Sequence, residues 1–467
     1  MRICVIAPRT GKELSRQVPI IREPLGACCI SAYLKKYGYE SKVIHQVEMV
    51  DDDVLYKVKE FKADIVGIST WSYNFNAGKR IAKLIKSRYK DIPIIFGGDH
   101  VTACPEVVKG DCIDYVVIGE GETTMLELVK ALEGKRDINS VDGIAYYKNK
   151  EIKLTKSRKR IRNLDELPFP DREDLPMEKY RATKHDCSLV YPPGQQIGTQ
   201  HTSRGCRYKC TFCSTPVTWP GMWVARSAKN VVDETEDLLD NHNVKSIFFC
   251  DEDFMCNIER IYQICDEIKK RNLKFNWLCF SKVTDVNKDI LKAMKDAGCT
   301  RVFYGIESCD NITLKKLHKG TNLKKIIKTF EITEEIGLDV WGTYMAGYPW
   351  EDEKTLLKSL GKLKEMPIDY LYLTFLTPFP GTEIYKYCKE NNLLLNENFD
   401  DYDCSKPIIK TQIPPNRLQK ILSEFEYEFY TSNSYMLRAH EKIEKNPRLK
   451  EIYNKFFKNM VKELNKI

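Results

Sequence analysis

The stretch CRYKCTFC, Cys206 to Cys213, carries three cysteines with three and then two residues between them. With 17 cysteines in 467 residues, this spacing is expected by chance only ~0.02 times. Thiolates are the usual ligands of iron–sulfur clusters, and a short loop lets three of them converge on one 4Fe–4S cubane. Three cysteines leave the fourth iron open to a small chelating ligand. The competing reading is three unrelated thiols or part of a zinc site. Zinc normally takes four protein ligands, and no second Cys or His pair of matching spacing follows closely.

The same stretch resembles the cluster loop of the radical S-adenosylmethionine (SAM) enzymes, including the aromatic Phe212 just before the third cysteine. Its setting, TSRGCRYKCTFCS from Thr202, is similar to the subgroup with an N-terminal cobalamin-binding domain. The resemblance covers roughly residues 1–395. It implies a 4Fe–4S cluster on Cys206, Cys210 and Cys213, with SAM on the open iron and cobalamin as third cofactor. In such enzymes SAM is cleaved to methionine and a 5′-deoxyadenosyl radical. The cofactors carry the hard chemistry, and the protein positions them and excludes water.

Outward from the loop the chain alternates strand and helix. Upstream, apolar runs at Ile3–Ala7, Ser41–His45, Asp64–Thr70, Pro93–Phe96 and Tyr115–Ile118 read as strands. Between them Gly26–Tyr37, Ala77–Arg88 and Thr124–Glu133 read as helices. Such alternation implies a parallel sheet covered on both faces, with its ligand beyond the carboxyl ends of the strands. Ser69-Thr70, Gly97-Gly98 and Gly119-Glu120 fall at those ends. Glycine there lets a backbone approach a large flat ligand. EPLGACCISAYLKKYGY, DIVGIST, FGGDHVT and GEGETT resemble the subgroup's cobalamin domain. Residue types alone leave a flavodoxin-like domain with another ligand open. The Asp-x-His-x-x-Gly of methionine-synthase-type domains is absent, since Pro8-Arg9-Thr10-Gly11 follows the first strand. His100 is the nearest substitute imidazole. It is read as structural, with cobalamin's own base detached and buried near Ser69, Thr70 and Gly97.

Residues 1–140 are thus expected to be a Rossmann/flavodoxin-like cobalamin-binding domain. Residues 141–196 form a linker, with a hairpin around Asn149 and the proline-rich LDELPFPDREDLP. Residues 197–395 form a partial (β/α)6 barrel with its site at the carboxyl ends of the strands. Those ends are Asp251-Glu252, Ser281-Lys282, Glu307-Ser308 and Gly347, followed by the Thr377–Thr382 turn. The resemblance implies that Asp251 and Glu252 meet the SAM amino group and that Gly347 lies beside adenine. Lys282 would meet the SAM carboxylate, and Glu307 with Ser308 its ribose or methionine end. Residues 396–467 are a helical region, Lys-rich to Ile467. Its aromatics, Phe425, Tyr427, Phe429 and Tyr430, are expected over the substrate, as is common in the subgroup.

Composition bounds the rest. Hydrophobic residues at 42% and charged residues at 30% describe a globular protein. The net charge of +8 has no concentrated basic stripe with interleaved aromatics, so nucleic acid is not the expected partner. No apolar run approaches the ~20 residues of a membrane span. Seventeen cysteines and a strand-like start point to the reducing cytoplasm. A small-molecule or peptide substrate and an electron donor such as flavodoxin or ferredoxin complete the expected partners.

Methylation of an unactivated carbon is the leading expected reaction. A cobalamin-dependent oxidative cyclase or rearrangement enzyme of the anaerobic magnesium-protoporphyrin ester cyclase type is the alternative. A methylthiotransferase would need three further cluster cysteines, and Cys4, Cys28, Cys29, Cys104 and Cys112 make no obvious set. A non-enzymatic corrinoid or iron–sulfur carrier is the remaining alternative.

Overall fold

The computed structural model describes residues 1–9, 22–180, 196–284, 286–445 and 450, 453 and 454. Thr10, Gly11 and most of the Lys-rich stretch after residue 445 lie outside these.

The first sheet has seven strands in the order β2-β1-β3-β4-β5-β6-β7. They are β1 (Arg2–Ala7), β2 (Glu40–His45), β3 (Ile65–Ser69), β4 (Ile94–Gly97), β5 (Tyr115–Val117), β6 (Ile144–Lys148) and β7 (Glu151–Leu154). The first five are parallel. Covered on both faces, they read as unbroken apolar runs such as RICVIA and IVGIS. Helix Leu25–Lys36 turns Leu25, Ala27, Cys28, Ser31, Ala32 and Leu34 inward at helical spacing.

Two features differ from the sequence reading. Asp51–Phe61 is a helix that the apolar pattern understates, because only Val54 and Val58 are buried. Its signal is electrostatic: Asp51, Asp52 and Asp53 occupy the positive helix start, and Asp53 accepts a 2.9 Å bond from the Val50 N–H. The hairpin assigned to the linker instead extends the first sheet, with β6 antiparallel to β5. The three-residue β5 would otherwise be an open edge, and β6 buries Ile144, Ala145 and Tyr146 there.

The second sheet is fully parallel, in the order β15-β14-β13-β12-β11-β8. Its strands are β8 (Ile197–Gln200), β11 (Ser246–Phe249), β12 (Asn276–Ser281), β13 (Cys299–Glu307), β14 (Asp339–Ala346) and β15 (Tyr370–Phe375). Between β8 and β11, β9 (Ser203–Gly205) and β10 (Trp223–Ala225) form a separate antiparallel pair. Alternate side chains divide the six strands into two faces. Val302, Tyr304 and Val340 join the helix-side core, while Phe248, Leu278, Phe303, Trp341 and Tyr370 form an aromatic concave face.

This partial barrel is open between β8 and β15, and each edge is satisfied by side chains or loops. Glu23 accepts from the Thr199 N–H at 2.8 Å, and Arg172 donates to the Thr199 carbonyl at 2.9 Å. On β15 the Tyr430 hydroxyl accepts from Leu371 N–H and donates to its carbonyl, and Phe375 N–H meets the Cys404 carbonyl. Tyr430 lies on helix Pro415–Tyr430, which buries Leu418, Ile421, Leu422, Phe425 and Phe429. The aromatic run expected over the substrate is therefore a packing face on the barrel's helix-side core, with Tyr427 exposed at its rim. No helix among the described residues is long and apolar enough to cross a membrane.

Candidate functional site

The cysteine loop hangs between β9 and β10 at the carboxyl end of the barrel. Gly205 enters it at φ +83, and a Cβ there would stand 2.2 Å from the Met222 carbonyl oxygen. Thr211 N–H donates to the Leu317 carbonyl and Ile384 N–H to the Thr211 carbonyl, both at 3.1 Å. Cys213 N–H closes a turn on the Cys210 carbonyl. The three thiols are partly buried and close enough to act on one another electrostatically. Burial pushes Cys206 up to about 11 and raises Cys213, so loading metal releases protons.

The donor set fits a cubane rather than one ion. Among the described residues no three His, Cys, Asp or Glu side chains close around a single metal, and a cubane spaces its thiolates more widely. Two buried ammonium groups back the loop. Lys282 donates to the Lys319 carbonyl at 2.8 Å and lies 3.0 Å from the centroid of the Tyr208 ring. Lys319 pairs with Glu307 at 2.6 Å and lies 6.0 Å from the centroid of the Phe212 ring. Lys319 was missed in the sequence because it lies in a turn after helix Asn311–Lys316 and not at a strand end.

The other strand-end residues separate. Glu307 has φ +61 beside a register shift in β13, which turns its carboxylate to Lys319. Tyr348 donates to its carbonyl at 3.0 Å. Ser281 and Ser308 are buried; their hydroxyls bond the Lys282 carbonyl and the Asp310 N–H. Gly347, at φ +86, donates its N–H to Glu351, which burial raises to about 7. Asp251 departs from expectation. It is fully buried and accepts from Thr202 N–H, the Thr202 hydroxyl and the Ser203 hydroxyl. Its lone pairs are committed to the base of the cysteine loop and not to a ligand. Glu252 departs too: it is exposed to the cleft between the domains, whose enclosing walls, with the charges of Asp251 and Asp99, raise it to about 8.

That cleft holds about 1610 Å³ of atom-free space, open solvent at its mouth included. Ser69, Gly97, Gly98, Gly119 and Glu120 line one wall, at the carboxyl ends of β3, β4 and β5. His201, Ser203, Arg204 and Glu252 line the barrel side. Thr70 stands behind the wall, its N–H on the Gly97 carbonyl. His100 is behind it as well: Nδ1 is 3.0 Å from the Ser72 hydroxyl, and its ring packs on Phe75 and Phe399. Burial lowers it to about 4. His100 is thus a packing residue outside the cleft and is not among its lining residues.

Gly97, Gly98 and Gly119 keep side chains off that part of the wall, which suits the close approach of a planar macrocycle. At Gly98, φ is +100, and a Cβ would lie 2.3 Å from the Thr70 carbonyl oxygen. Gly98→Ala is expected to destabilise the first domain by about 1–3 kcal/mol from the backbone alone, read by denaturant unfolding. An unchanged midpoint would show that the turn relaxes freely.

Ion pairs bolt the two walls together. Arg204, two residues before Cys206, holds Glu120 at 2.9 Å and Glu122 at 2.5 Å. Arg172 holds Glu23 at 2.5 Å and Glu234 at 2.8 Å, all buried. Thr218 donates to Asp99 at 3.0 Å. No spacing rule reveals these pairs, because their partners are 62 to 149 residues apart.

Comparison with known proteins follows this division. The B12 binding domain model matches residues 16–129, and the radical SAM superfamily model matches residues 201–360. An uncharacterized methyltransferase of Pyrococcus horikoshii is 31% identical over 94% of both chains. An anaerobic magnesium-protoporphyrin IX monomethyl ester cyclase of Rubrivivax gelatinosus is 26% identical over 93% of this chain and 78% of its own. The structure of the cobalamin-dependent S-adenosylmethionine radical enzyme OxsB, with aqua-cobalamin and S-adenosylmethionine bound, shares the fold. Its TM-score is 0.75 at 19% identity, over 98% of this chain and 71% of that one. With both halves matched in order and a relative aligned almost end to end, the chain belongs to the radical SAM enzymes that carry an N-terminal cobalamin-binding domain.

Proposed function

We propose that this protein is a cobalamin-dependent radical SAM enzyme that methylates an unactivated carbon. The observation that carries the reading is the Arg204 bridge, which fixes the cysteine loop against the glycine wall of the first domain. When bound, a reduced 4Fe–4S cluster with SAM supplies a 5′-deoxyadenosyl radical, and methylcobalamin supplies the methyl group. Cys206, Cys210 and Cys213 would hold the cluster. Lys282, Lys319 and Glu307 would bind the charged end of SAM, with Gly347 giving room for its adenine. Ser69, Gly97, Gly98 and Gly119 would support cobalamin. Ser72 and the Phe75 and Phe399 rings hold His100 behind the wall, which supports a structural role for it and not one as a cobalt ligand. With cofactors and substrate bound, the walls around the cleft would limit the access of water to the reacting centre.

A small-molecule or peptide substrate, a flavodoxin- or ferredoxin-like electron donor and a cytoplasmic setting accompany this reading. The second reading is oxidative cyclisation, favoured by the similarity to the Rubrivivax gelatinosus cyclase.

Anaerobic incubation with methyl-labelled SAM, a reductant and cell extract, followed by mass spectrometry, tests both. A product that carries the labelled methyl group is expected. A product that has lost hydrogen and gained no label would favour the cyclase, and no substrate-dependent product would reject both.

A further inference from the structure

Three phenyl or indole rings line the cleft among the described residues, Trp71, Phe169 and Trp219, and one of them stands apart. Phe169 carries the Arg226 guanidinium over its face, 5.4 Å from the ring centroid, and Trp219 carries that of Arg160 at 4.8 Å. Among the described residues no cation covers Trp71. Its ring contact is edge-on to Tyr73, with centroids 5.3 Å apart and planes at 85°. It is 51% exposed. A single exposed apolar side chain on an outer surface is ordinary, but this indole borders the cleft that the two domains enclose.

Its place in the first sheet gives it meaning. The strand order β2-β1-β3-β4-β5 reverses direction between β1 and β3, and ligands of such sheets lie outside the strand ends at that switch point. Trp71 follows β3 by two residues. Asn74 ties the loops after β1 and β3 together: its Oδ1 accepts from the Trp71 N–H at 2.8 Å, and its Nδ2 donates to the Pro8 carbonyl at 3.1 Å. The backbone of Trp71 is thus fixed at the switch point while its indole is left uncovered. An aromatic plane held in this way loses little entropy when a flat ligand covers it.

We propose that the Trp71 indole packs against the first-domain face of the corrin and fills the space where a lower axial ligand would sit. This rests on the reading of the cleft as the cobalamin site. Indole has an N–H to donate and no lone pair for a metal, so it excludes water from cobalt without replacing it as a ligand. With His100 bonded to Ser72 behind the wall and cobalamin's own base detached, cobalt would carry no lower ligand. Trp71 makes and breaks no bond; it sets the coordination of the metal by occupying space.

The test uses the full-length, cluster-loaded protein with hydroxocobalamin. Because the side chain is half exposed, Trp71→Phe and Trp71→Ala should unfold at the wild-type midpoint. Cobalamin should bind Trp71→Ala at least about tenfold more weakly than the wild type, with Trp71→Phe between them. The bound corrinoid is then reduced by one electron to cob(II)alamin, with the cluster left oxidised and silent, for electron paramagnetic resonance. The wild type should show the wide cobalt hyperfine splitting of an open lower face, and Trp71→Ala the narrower splitting of cobalt with an axial water. Wild-type affinity in Trp71→Ala, or one cob(II)alamin spectrum shared by the two proteins, would overturn the proposal. If Trp71→Ala folds poorly, the wild-type spectrum decides alone, and a water or nitrogen ligand there overturns it. Wild-type protein that binds no corrinoid rejects the cobalamin-dependent reading as well. Unchanged variants beside transfer of the labelled methyl group reject only the role of Trp71.

Discussion

Anaerobically reconstituted protein should carry about four irons and four sulfides, and the variant with Cys206, Cys210 and Cys213 all changed to Ala should carry almost none. The argument is local. The loop is fixed at Gly205, by the Thr211–Leu317 and Ile384–Thr211 backbone bonds and by the Cys213 turn, so its shape survives loss of the sulfurs. Only the ligands disappear. Burial keeps the metal-free thiols Cys206 and Cys213 protonated, so iron must displace protons, and the isosteric Cys→Ser variants should do no better. Charge-transfer absorption and cleavage of SAM should fall together, by at least about a hundredfold for cleavage, since removing ligand chemistry removes the barrier reduction outright. A triple variant that retains the absorption would place the cluster elsewhere in the chain.

The second large effect concerns stability. Arg172→Met is expected to destabilise the protein by about 3–5 kcal/mol, because it leaves buried carboxylates without their cation. Glu23 would keep the Thr199 N–H and Glu234 would keep Arg226, but the charged tie that Arg172 makes from the connecting segment to both Glu23 and Glu234 would be gone. Adding Glu23→Gln to Arg172→Met should restore part of the loss. If the single variant unfolds at the wild-type midpoint, the cluster of charges is structurally idle.

The pH dependence follows from Glu234. Burial pushes its carboxyl up, and the Arg226 and Arg172 guanidiniums more than offset this, leaving it below its ordinary value. A carboxyl depressed in the folded state stabilises above its unfolded value, about 4.3, and loses that contribution as pH falls through the folded value. The wild-type advantage over Arg172→Met should therefore be full at neutral pH and shrink below about pH 4.

How much of this was legible in the sequence varies with the range of the interaction. The cysteine loop, the apolar strand runs and the glycine turns are local patterns. They gave the five parallel strands of the first sheet, the open parallel barrel and the positions of Ser69, Gly97, Gly98 and Gly119 at strand ends. The helix Asp51–Phe61 was also local, but its signal lay in charge and not in apolar periodicity. Strand-end position was a poorer guide to side-chain direction. Asp251 and Glu252 are neighbours in sequence, yet one turns into the base of the cysteine loop and the other into the cleft. Alternation along an extended chain sends adjacent residues to opposite sides, and a motif does not say which side carries the ligand.

The sequence by itself determined the cysteine loop proposed to hold the cluster, the largely parallel-sheet architecture and the order of the two domains, because cysteine spacing and apolar period are properties of short segments. Tertiary structure alone decided what joins them. It brought Arg204 to Glu120 and Glu122, closed the β8 edge with Glu23 and Arg172, placed Lys319 behind Phe212 and left Arg22 over Phe248. These partners are far apart in the chain. A buried charge must be neutralised wherever the fold happens to bring it, so their pairing depends on packing and not on spacing.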